Sequence, residues 1–254
     1  MSGTEIIAED YNECQGNPAA AAMTEYADVV YPESDGKPMG ETEFHVTAIL
    51  HLMEVLRYYF KEKEDIYVIA DMFLYYRKGN PRAQKAPDVM VIKGVEKKKR
   101  RIFKIWEEGE APCVIFEVTS ESTKDEDMVN KKELYASLNV KEYFLFDPLG
   151  EYLKQNFLGF RLRKNRMYVP VPADRKGRIF SRELGVYLKP EDDLLRVIDP
   201  DTDMPVPDHK EAMMTADSER KKADSERKKA ESERKKAEKL AAKLRELGIE
   251  PDEL

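Results

Sequence analysis

Two acidic side chains lie in segments that otherwise have the composition of buried strands. Asp88 directly follows Pro87 in APDVMVI, and Glu117 interrupts the apolar stretch VIFEV. A carboxylate removed from water costs several kcal/mol unless a cation compensates it. Because side chains alternate along a strand, the two carboxylates can converge if their strands are neighbours. Such oxygen ligands suit a hard cation, Mg²⁺ or Mn²⁺, whereas a capping Asp88 and a salt-bridged Glu117 form the structural alternative.

A lysine on a predicted helix supplies the opposite charge. At about 100° per residue, the apolar residues of MVNKKELYASL (128–138) mark one arc, with Lys131 near its centre and Lys132 at its edge. An inward lysine requires an anion, so we expect Lys131 to approach Glu117, with Asp127 on the same side as an accessory acid. Two acids and a lysine are the groups that metal-assisted phosphodiester hydrolysis uses. A purely structural ion pair between Lys131 and Glu117 is the alternative.

The elements that position these residues predict an α/β domain with a mixed β-sheet flanked by helices. The stretch 43–63 has apolar residues at helical spacing and predicts an amphipathic helix. The helix 128–138 lies between two strands in a βαβ unit, so we expect those strands to be parallel. Short strands with Gly, Pro and Asn turns follow to about residue 190 and predict a β meander. Four earlier segments are rich in β-branched or aromatic residues and predict strands: 66–76, 87–92, 113–120 and 141–148.

Composition limits the class of protein. The chain has 254 residues, of which 41% are hydrophobic, enough for a globular core. Its net charge of −7 argues against broad coating of nucleic acid but allows a local basic patch. Cys14 and Cys113 have no metal-ligand spacing, which predicts free thiols in a reducing compartment. No apolar run approaches ~18 residues and no secretory signal is apparent, so we expect a cytoplasmic protein without a membrane segment.

The chain divides into three parts. Residues 1–27 are polar, with an alanine run, and predict a poorly ordered segment in which Met23 is an alternative start. Residues 28–205 form the globular part. Residues 211–247 repeat ADSERKK every seven residues and predict a long charged helix or coiled coil. Its apolar stripe is short, so we expect an exposed helix whose last turns pair with a partner helix or a second copy. That stripe consists of Leu240, Leu244 and Leu247.

The order of these motifs resembles the PD-(D/E)xK nuclease superfamily and, more closely, the Uma-two-type putative restriction endonuclease family. The matching stretches are YPESDGKPM (31–39), GNPRAQKAPDVMVI (79–92), WEEGEAPCVIFEVTSEST (106–123) and DMVNKKELYASLNVKEYFLFDP (127–148). The resemblance implies a restriction-endonuclease-like core over residues 28–205 and a Mg²⁺-dependent endonuclease that hydrolyses DNA. A non-catalytic module with a nuclease-like fold, recruiting partners through its C-terminal helix, is the alternative function.

The resemblance also implies roles for individual residues. Asp88 takes the place of the family's "PD" acid and Glu117 that of its strand acid, and both are catalytic and bind the metal. The superfamily usually has a lysine two residues after the strand acid, where this sequence has Thr119. The resemblance therefore implies that the catalytic lysine has moved to the helix, as Lys131.

Further charged residues are candidates for accessory roles. Glu43 and His45 begin the first predicted helix, where superfamily members often place an extra acid; a helix-capping Glu43 and a surface His45 are the alternative. A basic run lies between the two acid-bearing strands and is a candidate for contacts with DNA phosphates, because each such contact releases counterions. A solvated hairpin tip is the alternative for this run, which consists of Lys97, Lys98, Lys99, Arg100 and Arg101.

Overall fold

The computed structural model describes residues 29–34, 41–121 and 123–246, so the predicted poorly ordered segment 1–27 lies outside the described residues. The helices are α1 (Glu43–Tyr59), α2 (Ile105–Glu108), α3 (Lys132–Ser137) and α4 (His209–Glu246), and a π-helix (Glu126–Lys131) directly precedes α3. The strands are β1 (Ile66–Ala70), β2 (Leu74–Tyr75), β3 (Gln84–Lys85), β4 (Val89–Lys93), β5 (Phe103–Lys104), β6 (Val114–Val118), β7 (Glu142–Phe146), β8 (Phe157–Leu162), β9 (Tyr168–Val171), β10 (Ile179–Ser181), β11 (Val186–Glu191) and β12 (Leu194–Ile198).

A six-stranded mixed sheet forms the centre of the α/β domain, in the order β1-β4-β6-β7-β8-β9. Strands β6 and β7 are parallel, which confirms the predicted βαβ unit, and Val114 pairs with Glu142 at one end and Val118 with Phe146 at the other. The remaining neighbours in this sheet are antiparallel. Two three-stranded sheets, β10-β11-β12 and β3-β2-β5, accompany the central sheet.

Alternation along the central strands separates two hydrophobic cores. Val91 and Phe116 belong to the core that contains α1 and the β10–β12 sheet. Met90 and Ile115 belong to the other core, which contains Tyr135 of α3. Because successive side chains point to opposite faces, a residue two positions after Ile115 faces the same side as α3. That residue is Glu117.

The predicted strand 66–76 is wrong as a single element. Asp71 has a φ of 47°, which ends β1 and turns the chain out of the central sheet. Its backbone N–H approaches the carbonyl oxygens of Pro87 at 3.2 Å and Asp88 at 3.3 Å. Asp tolerates this left-handed conformation better than most non-glycine residues. The turn therefore sends β2 into a second sheet and fastens the segment that carries Asp88.

Three other features of the fold differ from the predictions. The first helix ends at Tyr59 rather than 63, because a turn at Phe60 follows it. The predicted regular helix 128–138 is a π-helix followed by α3. The short strands up to residue 190 do not form one meander, because β8 and β9 extend the central sheet while β10 and β11 belong to a separate one.

The long helix α4 is attached to the domain through its first turn. Glu211 N–H donates to Asp208 Oδ1 at 2.8 Å, and Asp208 N–H donates to Glu211 Oε2 at 3.1 Å, which is a reciprocal capping arrangement. Arg196 of β12 donates to Glu211 Oε1 at 2.5 Å. Beyond this turn the helix is almost entirely exposed, and the described helices include none long and apolar enough to cross a membrane.

The pairing of α4 with a partner stays a prediction. Leu240 is 62% exposed, whereas the side chain of Leu244 and all of Leu247 lie outside the described residues. Ion pairs one turn apart stabilise the helix along its length, such as Asp217 with Lys221 at 3.1 Å and Glu231 with Lys235 at 2.8 Å. The polar part of α4 is thus supported without a second helix.

Shortening the chain to end at Thr215 is expected to leave the domain folded. This cut keeps the contacts of Glu211 and removes a helix whose side chains are exposed, so the melting temperature should stay within a few degrees of the parent. Thermal denaturation followed by circular dichroism measures this. Loss of soluble folded protein would contradict the separation of α4 from the domain, and any self-association of the parent should fall in the shortened chain.

Candidate active site

The antiparallel pairing of β4 and β6 brings Asp88 and Glu117 together. Val89 pairs with Phe116 and Met90 with Ile115, so the next position of the same register places Asp88 opposite Glu117. Asp88 Oδ2 accepts a hydrogen bond from Val118 N–H at 2.6 Å. This bond fixes one carboxylate oxygen against β6, and the two acids singled out from the sequence lie across one strand pair.

Glu117 is completely buried and has a polar partner at each oxygen. Its side chain has 0% exposure. Oε2 accepts from Lys131 Nζ at 2.9 Å, and Oε1 accepts from the Tyr135 hydroxyl at 2.7 Å. Burial raises the pKa of Glu117 to about 8; Lys131 opposes that rise, while Asp88 and Asp127 add to it. The buried Glu117 carboxyl therefore holds its proton more tightly than an exposed glutamate does.

Lys131 joins two buried carboxylates. Its Nζ lies 2.9 Å from Glu117 Oε2 and 2.8 Å from Asp127 Oδ1, and its side chain is 12% exposed. Burial lowers the pKa of Lys131, but the two carboxylates outweigh this effect and raise it above the ordinary value. Lys131 is therefore a charged ammonium inside the fold, as expected from its position on the apolar arc.

Asp127 contributes to the same cluster from one turn earlier in the π-helix. It is 1% exposed, and its backbone carbonyl accepts from the Tyr143 hydroxyl at 3.0 Å. Burial raises the pKa of Asp127, and Lys131 opposes that rise. We name Glu117, Lys131 and Asp127, together with the adjoining Asp88, the acid–lysine cluster.

Lys132, predicted at the edge of the apolar arc, differs from its neighbour. Its Nζ lies 3.7 Å from the centroid of the Phe160 ring. Burial lowers the pKa of Lys132. Among the described residues it forms no ion pair, so Lys131 alone of the two lysines reaches the acid–lysine cluster.

His45 and Glu43 separate in the structure. His45 is buried, with Nε2 3.7 Å from Asp88 Oδ1 and Nδ1 3.4 Å from Glu41 Oε2. Burial lowers the pKa of His45, but Asp88 and Glu41 outweigh this effect and the pKa is raised overall. His45 therefore borders the cluster rather than the open surface. Glu43 is exposed in the first turn of α1 and has no ion pair with the described residues.

Two residues near the cluster were missed by the sequence reasoning. Tyr135 was assigned only to the apolar arc, since spacing places a tyrosine ring in a core but does not show where its hydroxyl points. Thr119 was noted only for occupying the usual lysine position. It is 2% exposed, and its Oγ1 has no hydrogen-bond partner among the described residues.

The donor set fits a hard cation that keeps part of its water shell. Asp88 Oδ1 is not used by the bond to Val118, whereas both carboxylate oxygens of Glu117 already accept a hydrogen bond, from Lys131 and Tyr135. Within the described ranges, no group of three or more His, Cys, Asp or Glu side chains could hold a metal ion. Mg²⁺ commonly binds through one or two carboxylates and retains several waters, so two acids are sufficient for this chemistry.

The basic run 97–101 is largely engaged with its own protein. Lys97 Nζ donates to the carbonyl oxygens of Phe60 at 2.8 Å and Lys61 at 3.1 Å. Arg100 donates to both oxygens of Glu108, at 2.7 and 2.8 Å. Three members remain: Lys98 lies 3.5 Å from Glu96, Arg101 pairs with Glu33, and Lys99 is exposed.

Comparison with known proteins relates the chain to a family of putative restriction endonucleases. A family model described as "Uma2: Putative restriction endonuclease" matches residues 21–195. Among solved structures, the chain is similar to a crystal structure of a "putative nuclease belonging to DUF820" from Anabaena variabilis ATCC 29413, with 14% identity and a TM-score of 0.46 over 63% of this chain and 87% of that chain. No curated protein matches the sequence. Because the family model covers more than half of the chain, the protein belongs to the Uma2 family of restriction-endonuclease-type proteins.

Proposed function

We propose that this protein is a metal-dependent DNA endonuclease that hydrolyses phosphodiester bonds with Mg²⁺, or with Mn²⁺ in its place. Family membership supports a nuclease-type function. The observation that carries the finer proposal is the acid–lysine cluster, in which a completely buried Glu117 lies opposite Asp88 and 2.9 Å from the ammonium of Lys131. Strongly perturbed carboxyls and lysines that share one site are typical of catalytic centres.

Each residue of the cluster has a distinct proposed role. Asp88 and Glu117 would hold the cation through their carboxylate oxygens. A cation held there would supply a water of lowered pKa and would neutralise charge on the phosphate. Lys131 orients the attacking water or stabilises the charge that develops on the phosphate oxygens. Asp127 positions Lys131 from one turn earlier, and His45 borders Asp88 as an accessory group.

Cleavage is expected to depend on pH through Glu117. In the metal-free protein, burial raises the pKa of Glu117 to about 8. A proton would therefore compete with added Mg²⁺ for the Glu117 carboxylate. At subsaturating Mg²⁺, the cleavage rate should rise from about pH 6 to about pH 8 and level off above it. Higher Mg²⁺ should shift the rise to lower pH, because the cation displaces the proton. A single-turnover cleavage rate that falls between about pH 6 and about pH 8 would contradict the assignment of Glu117 as the titrating group. As a control, Lys132→Ala should keep the parent's pH–rate profile.

The alternative function is a non-catalytic module that recruits partners through α4. It is favoured by the exposed surface of that helix, which extends over His209–Glu246. Supercoiled plasmid incubated with the purified full chain separates the two functions. The endonuclease should convert the plasmid to nicked or linear forms in Mg²⁺ and leave it intact in EDTA. Plasmid that stays supercoiled in Mg²⁺ and in Mn²⁺ would favour the module.

A further inference from the structure

A second basic segment lies immediately before Asp88. Between Asp71 and Asp88 the sequence has no acidic residue, although the whole chain has a net charge of −7. This stretch is therefore a local concentration of positive charge in an acidic protein. Its four basic residues are Arg77, Lys78, Arg82 and Lys85.

A short hairpin with a well-bonded turn presents these residues. Strands β2 and β3 are antiparallel, and Tyr76 N–H donates to the carbonyl of Ala83 at 3.2 Å. Within the turn, Arg82 N–H donates to Asn80 Oδ1 at 3.0 Å. Gly79 has a φ of 79°, and its N–H donates to the Tyr31 hydroxyl at 2.7 Å. The backbone of the hairpin tip is therefore fixed on both sides of the turn.

The charged side chains of this tip face outward. Arg77, Lys78 and Arg82 are all exposed. In the described part of the chain, no carboxylate forms an ion pair with Arg77 or Arg82, so both exposed guanidinium groups are available to an external anion. In the run 97–101, by contrast, Lys97 already donates to backbone carbonyls and Arg100 already donates to Glu108.

The hairpin is also joined to the acid–lysine cluster. Lys85 lies three residues before Asp88, and its Nζ lies 2.5 Å from Glu126 Oε1 in the π-helix that carries Lys131. Six residues separate Arg82 from Asp88, so the chain allows at most ~20 Å between their backbones. This reach corresponds to a few phosphates along one DNA strand, since successive base pairs rise about 3.4 Å.

We infer that the β2–β3 hairpin, residues 76–83, contacts the phosphate backbone of duplex DNA beside the scissile bond, through Arg77 and Arg82. This inference rests on the proposed nuclease function and names a binding element for its substrate. The planar guanidinium binds phosphate through paired hydrogen bonds, and such contacts position the protein without reading base sequence. Lys78 adds positive charge to the same tip.

The test measures binding without cleavage. Fluorescence anisotropy of a labelled duplex of about 30 base pairs is followed in EDTA over a series of KCl concentrations. The double variant Arg77→Ala/Arg82→Ala should bind on the order of tenfold more weakly, and the slope of log K against log[salt] should fall in magnitude by about 2. Arg77→Lys/Arg82→Lys keeps the charge and should retain most of the parent's slope. All variants should melt as the parent does, because the substituted side chains are exposed.

A matched control removes two exposed basic residues elsewhere. Arg163→Ala/Lys164→Ala, in the turn between β8 and β9, should leave affinity and slope within a few-fold of the parent. Equal binding by the hairpin variant and the parent would overturn the inference, as would a parent that does not bind duplex DNA. Hairpin-dependent binding without plasmid cleavage would uphold the contact between the hairpin and the DNA phosphates while overturning the nuclease proposal. Plasmid cleavage with hairpin-independent binding would do the opposite.

Discussion

Replacing Glu117 with Gln is expected to abolish both Mg²⁺ binding and DNA cleavage while the protein remains folded. The amide keeps the shape of the side chain and removes the charge that the proposed cation requires. The Tyr135 hydroxyl retains a carbonyl acceptor, and Lys131 retains its contact with Asp127 at 2.8 Å. Isothermal titration calorimetry with Mg²⁺ measures the first effect, and circular dichroism verifies the fold.

The stability of this variant has a pH dependence of its own. In the parent, the unfolded Glu117 ionises near its ordinary pKa, whereas the folded carboxyl keeps its proton up to about pH 8. The stability that Glu117 contributes to the folded state therefore falls as the pH rises from the ordinary pKa of a glutamate to about 8. Glu117→Gln lacks this loss, so its melting temperature relative to the parent should rise with pH.

A Mg²⁺ affinity of Glu117→Gln equal to the parent's would remove Glu117 from the proposed ligand set.

The adjacent lysines are expected to differ strongly. Lys131→Ala should reduce the single-turnover cleavage rate by roughly 100-fold or more, because it removes a preorganised positive charge from a water-poor site. Lys132→Ala should stay within a few-fold of the parent, since Lys132 contacts the Phe160 ring and not the acid–lysine cluster. This neighbouring substitution is the matched control for loss of one lysine from the same helical segment.

The geometry of the ammonium also matters. Lys131→Arg should not restore activity, because a planar guanidinium does not replace a compact ammonium positioned by Glu117 at 2.9 Å and Asp127 at 2.8 Å. Cleavage rates of Lys131→Ala and Lys132→Ala that are equal to each other would refute the assignment. Glu117 would then have a buried ion pair whose role is structural.

Local rules predicted that the two acids and the lysine could meet on condition that the two acid-bearing strands are neighbours, and the pairing of β4 with β6 meets that condition. Alternation along β4 and β6 places Asp88 and Glu117 on one face, and the βαβ unit requires a parallel β6–β7 pair with a helical segment between the strands. The apolar arc points Lys131 toward that face. These features depend on periodicity and chain connection, both of which are present in the sequence itself.

The errors concern features that depend on the rest of the fold. The end of β1 is set by a positive φ at Asp71 and by bonds to the segment before β4, which no apolar pattern reveals. The π-helix replaces an α-helical turn where Asp127 and Lys131 meet Glu117 inside the core. Burial of His45 likewise depends on the approach of α1 to Asp88.

The basic run 97–101 illustrates the same limitation at the surface. A cluster of lysines and arginines in the sequence does not show which of them already have partners. Arg100 binds Glu108 and Lys97 binds carbonyls that follow α1, whereas Arg77 and Arg82 keep exposed guanidinium groups. The basic groups that are available to a ligand therefore do not coincide with the densest run of lysines and arginines in the sequence.

The most direct test of the account is the single-turnover cleavage of supercoiled plasmid as a function of Mg²⁺ concentration, for the parent and for Glu117→Gln. The parent should convert the plasmid at a rate that rises with Mg²⁺ to a plateau, and conversion should be absent in EDTA. Glu117→Gln should show no Mg²⁺-dependent cleavage at any concentration. A parent without Mg²⁺-dependent cleavage, or a Glu117→Gln variant that cleaves as fast as the parent, would contradict the account.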